Sequence, residues 1–397
     1  MWIERKYSDI IKKAIKTFPV VLLTGPRQTG KTSLLRRLFP DFDYIALDIP
    51  SIAEKAEKNP ELFLNDLKLP VIIDEIQYSP SLFRFLKYFI DKTNKKGQFI
   101  LSGSHEFLLM HNISESLLDR CAILNLHSLS ISEILEKFKV NEFEIILKGG
   151  YPELWANKKI DVDLWYSSYI SSYLERDVRN ILKVSNLREF ERFLRALAFR
   201  TGQMLSYSDI SREVGVAVST VREWVSVLQT SKQIFILEPY YKNLGKRIVK
   251  TPKIYILDIG LALYLNGIRT KKQFLSSKIL GNLWETFIIG EIYRQYNIKG
   301  IKPNFWFWQN QIGAEVDCVI DIGENYYLFE IKFSEIINEN DFKGINTFTK
   351  MYGAENIVEA NIICRTHNSF LYDKKRNIIN FKDIGNFLDR ILKRKRN

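Results

Sequence analysis

A phosphate-binding motif occupies residues 25–32, which complete the pattern G-x-x-x-x-G-K-[ST]. Two glycines, Gly25 and Gly30, let the backbone turn so that its N–H groups face a β-phosphate. Lys31 is predicted to reach the β- and γ-phosphate oxygens, and Thr32 to offer its hydroxyl to Mg²⁺. An apolar run precedes the motif and a helical stretch follows it, which is the setting that the motif requires. The predicted contacts of a nucleoside triphosphate are Gly25, Pro26, Arg27, Gln28, Thr29, Gly30, Lys31 and Thr32.

A second apolar run, residues 71–73, ends in the carboxylates Asp74 and Glu75. A strand here would lie parallel to the first, with both carboxyl ends facing the nucleotide. Asp74 is predicted to hold Mg²⁺ directly or through water, and Glu75 to polarise the attacking water. Acid pairs are common at strand ends, but this pair is informative because it follows a phosphate loop.

A third predicted strand, residues 98–101, leads into Ser102-Gly103-Ser104. A polar side chain at this point could sense the γ-phosphate or orient the water. Ser102 and Ser104 are both candidates for this role, and a Gly/Ser turn without any role is the alternative. The sequence leaves these possibilities open.

Acidic residues also converge in the last 120 residues. Two predicted strands, 315–320 and 326–333, flank a turn at Gly323-Glu324. A two-residue loop would pair residues whose numbers sum to 647, which sets Asp317 opposite Glu330. Lys332 then shares a face with Glu330, and Glu285, at the start of a predicted helix, could join them. Such a group can bind Mg²⁺ and activate water at a phosphodiester, whereas a surface salt bridge is the alternative.

The composition restricts the class of protein. The chain has 397 residues, 46% of them hydrophobic, which favours two or three folded domains. Its net charge of +12 favours an acidic partner such as nucleic acid. The three cysteines and four histidines have no metal-ligand spacing, so neither a zinc site nor a disulfide framework is expected. Without a signal peptide or an apolar run of about 18 residues, no membrane contact and a cytosolic location are expected.

Residues 204–240 have the outline of a winged helix-turn-helix: a short helix at 208–214, a turn at Gly215, a second helix from 219 and a strand at 234–238. The segment 171–250 contains 14 basic and 8 acidic residues, a surplus of six. Side chains of the second helix could face a DNA groove, and packing against a protein partner is the alternative. The candidate DNA contacts are Ser219, Thr220, Arg222 and Gln229.

The chain as a whole resembles a prokaryotic family of predicted AAA+ ATPases with a conserved C-terminal domain of unknown function. The resemblance is carried by segments 23–32, 73–77, 102–104, 252–261, 313–317 and 330–332. It implies a P-loop AAA+ α/β domain with a parallel sheet and helices on both faces. A winged helix-turn-helix and a PD-(D/E)XK, restriction-endonuclease-like α/β domain would follow. The expected domains are an ATPase core at 1–130, a helical lid at 131–200, the winged helix at 201–250 and the nuclease-like domain at 251–397.

The resemblance also implies Gly-Arg before the strand that begins near residue 121, where this chain has Asp119-Arg120. Arg120 is therefore a candidate arginine finger. The backbone of its loop is expected to differ from that of the family, because Asp119 stands in place of glycine. Sites of this family lie between subunits, so the resemblance implies a homo-oligomer in which Arg120 acts on a neighbour's ATP.

Two functional hypotheses follow from these observations. The favoured one is a Mg²⁺-dependent ATPase whose nucleotide cycle moves a basic C-terminal half that binds DNA. The alternative is an ATP-gated switch that binds DNA or a protein, turns over slowly and carries an inactive nuclease-like scaffold.

Overall fold

The chain is built around three β-sheets. A computed structural model describes residues 1–93, 95–104, 117, 119–173, 187–241 and 250–394. Within these ranges the first sheet has five strands, the second has three and the third has six.

The N-terminal sheet is entirely parallel, in the order β2-β3-β4-β1-β5. Its strands are β1 (Val20–Thr24), β2 (Asp43–Ala46), β3 (Val71–Asp74), β4 (Phe99–Ser102) and β5 (Cys121–Asn125). Its helices are α1 (Ser8–Thr17), α2 (Lys31–Leu38), α3 (Pro50–Lys58), α4 (Pro60–Asn65) and α5 (Leu82–Thr93). The central strands are apolar on both faces, as expected for a sheet that helices cover on both sides.

Alternate residues of β1 face opposite sides of this sheet. Val20 and Leu22 pack in one apolar cluster with α5, and Val21 and Leu23 pack in another with α1 and α2. The predicted parallel sheet with helices on both faces is therefore confirmed. The sequence analysis did not identify β2, and it did not predict that β4 lies between β1 and β3.

A helical segment follows the first sheet. Its helices are α6 (Ile131–Lys137), α7 (Glu142–Lys148), α8 (Pro152–Ala156), α9 (Val162–Tyr173) and α10 (Leu187–Phe199). Helix α6 begins with a capping box, in which the Ser130 hydroxyl accepts from the Glu133 backbone N–H and the Glu133 carboxylate accepts from the Ser130 backbone N–H. One continuous apolar core contains side chains from this segment and from both following sheets.

The predicted helix, turn and helix between 206 and 230 are present. Helices α11 (Tyr207–Val214) and α12 (Val218–Thr230) are joined at Gly215, which has a φ of 84°. Strands β6 (Gln203–Met204), β7 (Ile234–Leu237) and β8 (Lys253–Ile256) form an antiparallel sheet in the order β6-β8-β7. The chain between β7 and β8, residues 242–249, lies outside the described residues.

The six-stranded sheet has the order β13-β14-β12-β11-β10-β9. Its strands are β9 (Trp306–Gln309), β10 (Glu315–Ile322), β11 (Asn325–Ile331), β12 (Ile357–Cys364), β13 (Phe370–Leu371) and β14 (Arg376–Asn380). The accompanying helices are α13 (Ile259–Leu265), α14 (Lys271–Leu275), α15 (Leu280–Ile298), α16 (Lys343–Tyr352) and α17 (Ile384–Arg394). The 19-residue helix α15 is buried along most of its length and is a central element of the shared core.

The predicted register of the β10–β11 hairpin is confirmed. Cys318 pairs with Phe329 and Ile322 pairs with Asn325, so paired residue numbers sum to 647. Both loop residues, Gly323 and Glu324, have positive φ, which is the signature of a type I′ turn. This turn matches the right-handed twist of the flanking strands and so stabilises this register.

Candidate nucleotide site and acidic cleft

The phosphate loop connects the carboxyl end of β1 to the amino end of α2. Gly25 has a φ of 135°, and a Cβ at this position would lie 2.1 Å from the Leu126 carbonyl oxygen. Gly30 has a φ of 85° and precedes the first residue of α2. Only glycine is compatible with both the conformation and the space at Gly25, so the loop is closely packed against the chain that follows β5.

Lys31 lies inside this loop. Its side-chain Nζ atom donates to the carbonyl oxygens of Gly25 and Pro26, each at 2.9 Å, and the residue is buried. The Thr29 hydroxyl also donates to the Pro26 carbonyl, at 2.9 Å. The ammonium is thus held beside the N-terminus of α2, where backbone N–H groups and the helix dipole favour a phosphate.

Asp74, at the end of β3, accepts hydrogen bonds from three elements. The Thr32 hydroxyl lies 2.7 Å and the Tyr44 hydroxyl 2.8 Å from its Oδ2 atom, and the Ser102 hydroxyl contacts its Oδ1 atom. The contact with Ser102 follows from the strand order, because β4 lies between β1 and β3. Burial, followed by the bond to Asp74, raises the pKa of Tyr44 above its ordinary value, so the phenol stays protonated and donates.

The adjacent hydroxyl and carboxylate fit a magnesium ion. Mg²⁺ prefers a small number of hard oxygen ligands and keeps several waters and phosphate oxygens. Thr32 and Asp74 offer such oxygens next to the phosphate loop. These two residues would hold the ion in the way that the sequence predicts.

Glu75 follows Asp74 in a left-handed conformation, with a φ of 54°. This conformation costs a non-glycine residue about 1–2 kcal/mol, and it turns the Glu75 side chain away from the line of β3. The buried Gln77 side chain donates to its Oε2 atom. The carboxylate is therefore held at the edge of the sheet where β1 and β3 both end.

The two candidate serines after β4 have different surroundings. Ser102 contacts Asp74, whereas Ser104 is buried and its hydroxyl has no hydrogen-bond partner among the described residues. The Ser102 hydroxyl therefore joins Thr32 in contacting Asp74. The Ser104 hydroxyl, two residues further along the chain, is without a partner in the described part of the structure. Either role with the γ-phosphate stays a prediction.

Arg120 lies at the opposite end of the strands from the phosphate loop. Its carbonyl accepts from the Val20 amide at 3.3 Å, at the amino end of β1, whereas the phosphate loop follows the carboxyl end. A five-residue strand separates these ends by about 16 Å. The Arg120 guanidinium pairs with Asp91, with an Nε–Oδ1 distance of 2.6 Å. A role for Arg120 on ATP would therefore require a neighbouring subunit.

Arg5 is a buried contact of the phosphate loop that the sequence analysis missed. Its guanidinium donates to the Thr29 carbonyl at 2.9 Å, to the His127 carbonyl at 2.6 Å and to Glu133 Oε1 at 3.2 Å. The side chains of Arg5 and Glu133 are 6% and 1% exposed. Arg5 thus joins the phosphate loop to helix α6, and no spacing in the sequence indicates this contact.

The predicted C-terminal acids line a cleft with a volume of about 810 Å³. Glu285 lies on α15, Asp317 on β10 and Glu330 on β11. Lys332 directly follows the last residue of β11. The Lys332 Nζ atom lies 2.6 Å from Glu330 Oε1, and Asp317 Oδ2 accepts from the Ile331 amide at 2.7 Å. The structure therefore brings all four predicted residues to one cleft.

Burial affects the ionisation of these acids. Burial, and next the neighbouring Glu330, raise the pKa of Asp317 well above its ordinary value. Burial also raises the pKa of Glu330 to about 7, against the opposing effect of Lys332. The Glu330 Oε2 atom is buried and has no hydrogen-bond partner among the described residues. For both acids the effect of burial outweighs that of the neighbouring lysines, Lys253 for Asp317 and Lys332 for Glu330.

Three further residues that contact these acids were not predicted. Glu315, Glu285 and Asp317 each have a carboxylate oxygen within 4.8 Å of the other two. Lys253, on β8, reaches Glu285 at 2.8 Å and also contacts Glu315. The Tyr255 hydroxyl donates to Glu285 Oε1 at 2.5 Å. Side chains alternate between the two faces of a strand, so Glu315, two residues before Asp317, shares its face of β10. This alternation could have predicted Glu315.

Helix α12 presents the predicted DNA contacts at the surface. Ser219, Arg222 and Gln229 are exposed and Thr220 is half-buried, while Trp224 and neighbouring apolar side chains face the core. The Arg222 guanidinium lies 4.3 Å from the centre of the Tyr207 ring. The exposed face of α12 is therefore accessible to a partner. Within the part of the chain that the structure describes, no helix has the length and apolarity to cross a membrane.

Comparisons with known proteins match three regions of the chain. A family model described as an AAA domain matches residues 17–135. Two models described as domains of unknown function match residues 141–272 and 280–384. The phosphate loop, Asp74 and Glu75 fall in the first region, and the acidic cleft falls mainly in the third.

Two mycobacterial proteins with names that give no function are similar over most of the chain. They are Rv2008c of Mycobacterium tuberculosis and Mb2031c of Mycobacterium bovis. Each is 31% identical over 336 residues, which is 84% of this chain and 74% of the relative.

Among solved structures, the Walker-type ATPase PABY2304 of Pyrococcus abyssi aligns with 67% of this chain and 96% of its own, at 16% identity and a TM-score of 0.43. The RuvB Holliday junction branch migration motor of Thermotoga maritima aligns with 59% of this chain and 89% of its own, at 16% identity and a TM-score of 0.29. The family assignment rests on the sequence relatives and the matched AAA domain: the chain belongs to the family of Rv2008c and Mb2031c, with a P-loop AAA domain followed by two domains of unknown function.

Proposed function

We propose that the chain is a Mg²⁺-dependent ATPase whose nucleotide cycle acts on a basic, DNA-binding C-terminal half. The observation that carries the proposal is the 2.7 Å contact between the Thr32 hydroxyl and Asp74, beside the buried Lys31 ammonium. A metal-binding pair and a phosphate-binding cation thus lie together at the carboxyl edge of a parallel sheet, as phosphoryl transfer requires.

Each residue has a defined role in this proposal. Lys31 and the backbone of the phosphate loop bind the β- and γ-phosphates, and Thr32 and Asp74 hold Mg²⁺. The ion, when bound, neutralises charge that develops on the phosphates. Glu75 orients the attacking water and accepts its proton, and Ser102 keeps the Asp74 carboxylate in position.

The experiment that tests this proposal is a steady-state ATPase assay of the full chain, with and without duplex DNA. We expect Mg²⁺-dependent turnover that DNA increases. Nucleotide binding with no turnover under either condition would instead favour an ATP-gated switch.

The surplus of basic residues at 171–250 and the exposed face of α12 favour binding to duplex DNA. Because binding releases counterions, the affinity should fall by about 10²-fold or more between 50 and 200 mM salt if several phosphates are contacted. Replacing Arg222 with Ala should weaken binding further, whereas Arg84→Ala, at an exposed arginine of α5 outside this basic segment, offers a charge-matched control. Fluorescence anisotropy with a labelled duplex measures both effects. Affinity that does not depend on salt would favour a protein partner for this face.

We also propose that the ATPase works as a homo-oligomer in which Arg120 reaches the ATP of a neighbouring subunit. Lys31→Ala and Arg120→Ala should each be inactive alone, because each lacks one half of the shared site. Mixing the two proteins should restore part of the turnover, since some interfaces then combine an intact loop with an intact Arg120. An ATPase assay on mixtures with demonstrated co-assembly measures this recovery, and its absence would exclude Arg120 as the finger.

A second candidate activity is metal-dependent cleavage of a phosphodiester in the acidic cleft. The observation that favours it is the buried Glu330 Oε2 atom, which has no hydrogen-bond partner in the described part of the chain, beside three carboxylates within 4.8 Å of one another. Four acids, Glu285, Glu315, Asp317 and Glu330, would hold a divalent cation, which activates water when bound. Lys332 would stabilise negative charge that develops on the phosphate.

If this activity is present, the full chain should nick supercoiled plasmid in the presence of Mg²⁺ or Mn²⁺. Asp317→Asn and Lys332→Ala should each lose about 10²-fold or more of the nicking rate, because the first removes a charged ligand of the cation and the second removes the ammonium that stabilises the phosphate. Lys343, an exposed lysine at the same cleft, offers the control substitution Lys343→Ala. Equal nicking by wild type and Asp317→Asn, purified in parallel, would assign the nicking to a contaminant and the cleft to a scaffold.

A further inference from the structure

A lysine from the three-stranded sheet enters the acidic cleft of the six-stranded sheet. The Lys253 Nζ atom lies 2.8 Å from Glu285 Oε1 and also contacts Glu315 Oε1, and its side chain is 6% exposed. The cleavage role proposed above uses Lys332 and gives no function to this second lysine. A buried lysine is rare unless its charge is compensated, so Lys253 is part of the charge balance of the cleft.

The charges of the cleft can be counted from the residues in contact. Glu285, Glu315, Asp317 and Glu330 contribute four negative charges when ionised, and Lys253 and Lys332 contribute two positive charges. The ionised group therefore carries a net charge of −2, which one divalent cation would neutralise. Without Lys253 the same group would carry −3, in surroundings where uncompensated charge is expensive.

Lys253 and a metal ion would use the same two carboxylates. Two of the three carboxylates that lie within 4.8 Å of one another, Glu285 and Glu315, are the two that Lys253 contacts. Tyr255, from the same strand as Lys253, also donates to Glu285. An ammonium and a divalent cation a few ångströms apart repel each other strongly in a buried site, so they cannot both bind there without a cost.

We propose that Lys253 is a tethered counter-cation of the acidic cleft, which holds Glu285 and Glu315 together in the metal-free protein and competes with a divalent cation for them. The proposal rests on the cation site proposed above and concerns its regulation. Lys253 belongs to β8, which is hydrogen-bonded to the strand that follows α12. Any displacement of this sheet would therefore withdraw the ammonium and favour metal binding.

The test is calorimetric titration of Mn²⁺ into the nucleotide-free full chain. Asp317→Asn provides the reference, because it impairs the cleft and leaves the phosphate loop unchanged. We expect Lys253→Met to bind Mn²⁺ at the cleft about tenfold or more tightly than wild type, since one positive charge beside the ion is removed. Lys253→Arg keeps the charge and should bind like wild type, as should Lys343→Met. Without metal, Lys253→Met should also have a lower melting temperature, which Mn²⁺ restores.

The outcomes separate this proposal from the cation site itself. If wild type and Lys253→Met bind Mn²⁺ equally and Asp317→Asn does not bind it, the cation site is supported and the competition by Lys253 is overturned. Absence of Mn²⁺ binding in both proteins would overturn both. If Lys253→Met does not fold, a labelling experiment on the wild type replaces its titration. Lys253 is treated with an amine-reactive reagent, and the extent of labelling is measured by mass spectrometry. Labelling that rises in saturating Mn²⁺ supports displacement, and unchanged labelling overturns it.

Discussion

Replacing Glu75 with Gln is expected to lower ATP turnover by about 10²-fold or more while ATP binding is retained, because the carboxamide cannot accept a proton from water. The buried Gln77 side chain donates to the Glu75 carboxylate, whereas Thr32 donates to Asp74 and Lys31 donates to carbonyls of the phosphate loop. Lys31→Ala should instead abolish tight ATP binding, since it removes the cation inside the phosphate loop.

The two variants distinguish binding from chemistry. Binding is measured with a fluorescent ATP analogue and turnover by phosphate release. Glu61→Gln offers a matched control, because Glu61 is an exposed acid on α4 and the same amide substitution there should change neither quantity. Equal turnover in wild type and Glu75→Gln would remove Glu75 from the mechanism.

The features that the sequence could predict are those encoded by neighbouring residues. The phosphate loop is a contiguous motif, and its two glycines set the backbone conformation locally. The register of the β10–β11 hairpin depends only on a two-residue loop and on alternation along the strands. This register sets Asp317 opposite Glu330 without any information on tertiary contacts.

The features that could not be predicted depend on the order of strands and on distant segments. Tyr44 reaches Asp74 because β2 pairs with β3, and no local pattern identified β2. Lys253 enters the cleft because β8, in a different sheet, lies beside α15 and β10. Arg5 is separated from Glu133 by 128 positions. In each case a polar residue gains its role only when the fold brings a buried charge near it.

Arg5 is expected to contribute more to stability than any surface arginine of the chain. Arg5→Ala should destabilise the fold by about 3–5 kcal/mol, because it leaves the buried Glu133 carboxylate without its cation. The carbonyls of Thr29 and His127 would lose a charged donor as well. Arg195→Ala is the matched control: its pair with Glu191 is about half exposed, so about 0–1 kcal/mol is expected. The midpoints of thermal and urea denaturation measure the difference.

A second substitution separates the charge effect from the effect on the loop. Glu133→Gln in the Arg5→Ala background removes the uncompensated charge and should recover part of the lost stability. Arg5→Ala should also weaken ATP binding, and the second substitution should not restore it, because the Thr29 carbonyl of the phosphate loop still lacks its donor from Arg5. Arg5→Ala protein with wild-type stability would show that water replaces the guanidinium at all three acceptors. Full recovery of both stability and ATP affinity in the double variant would show that Arg5 acts only as the counter-ion of Glu133.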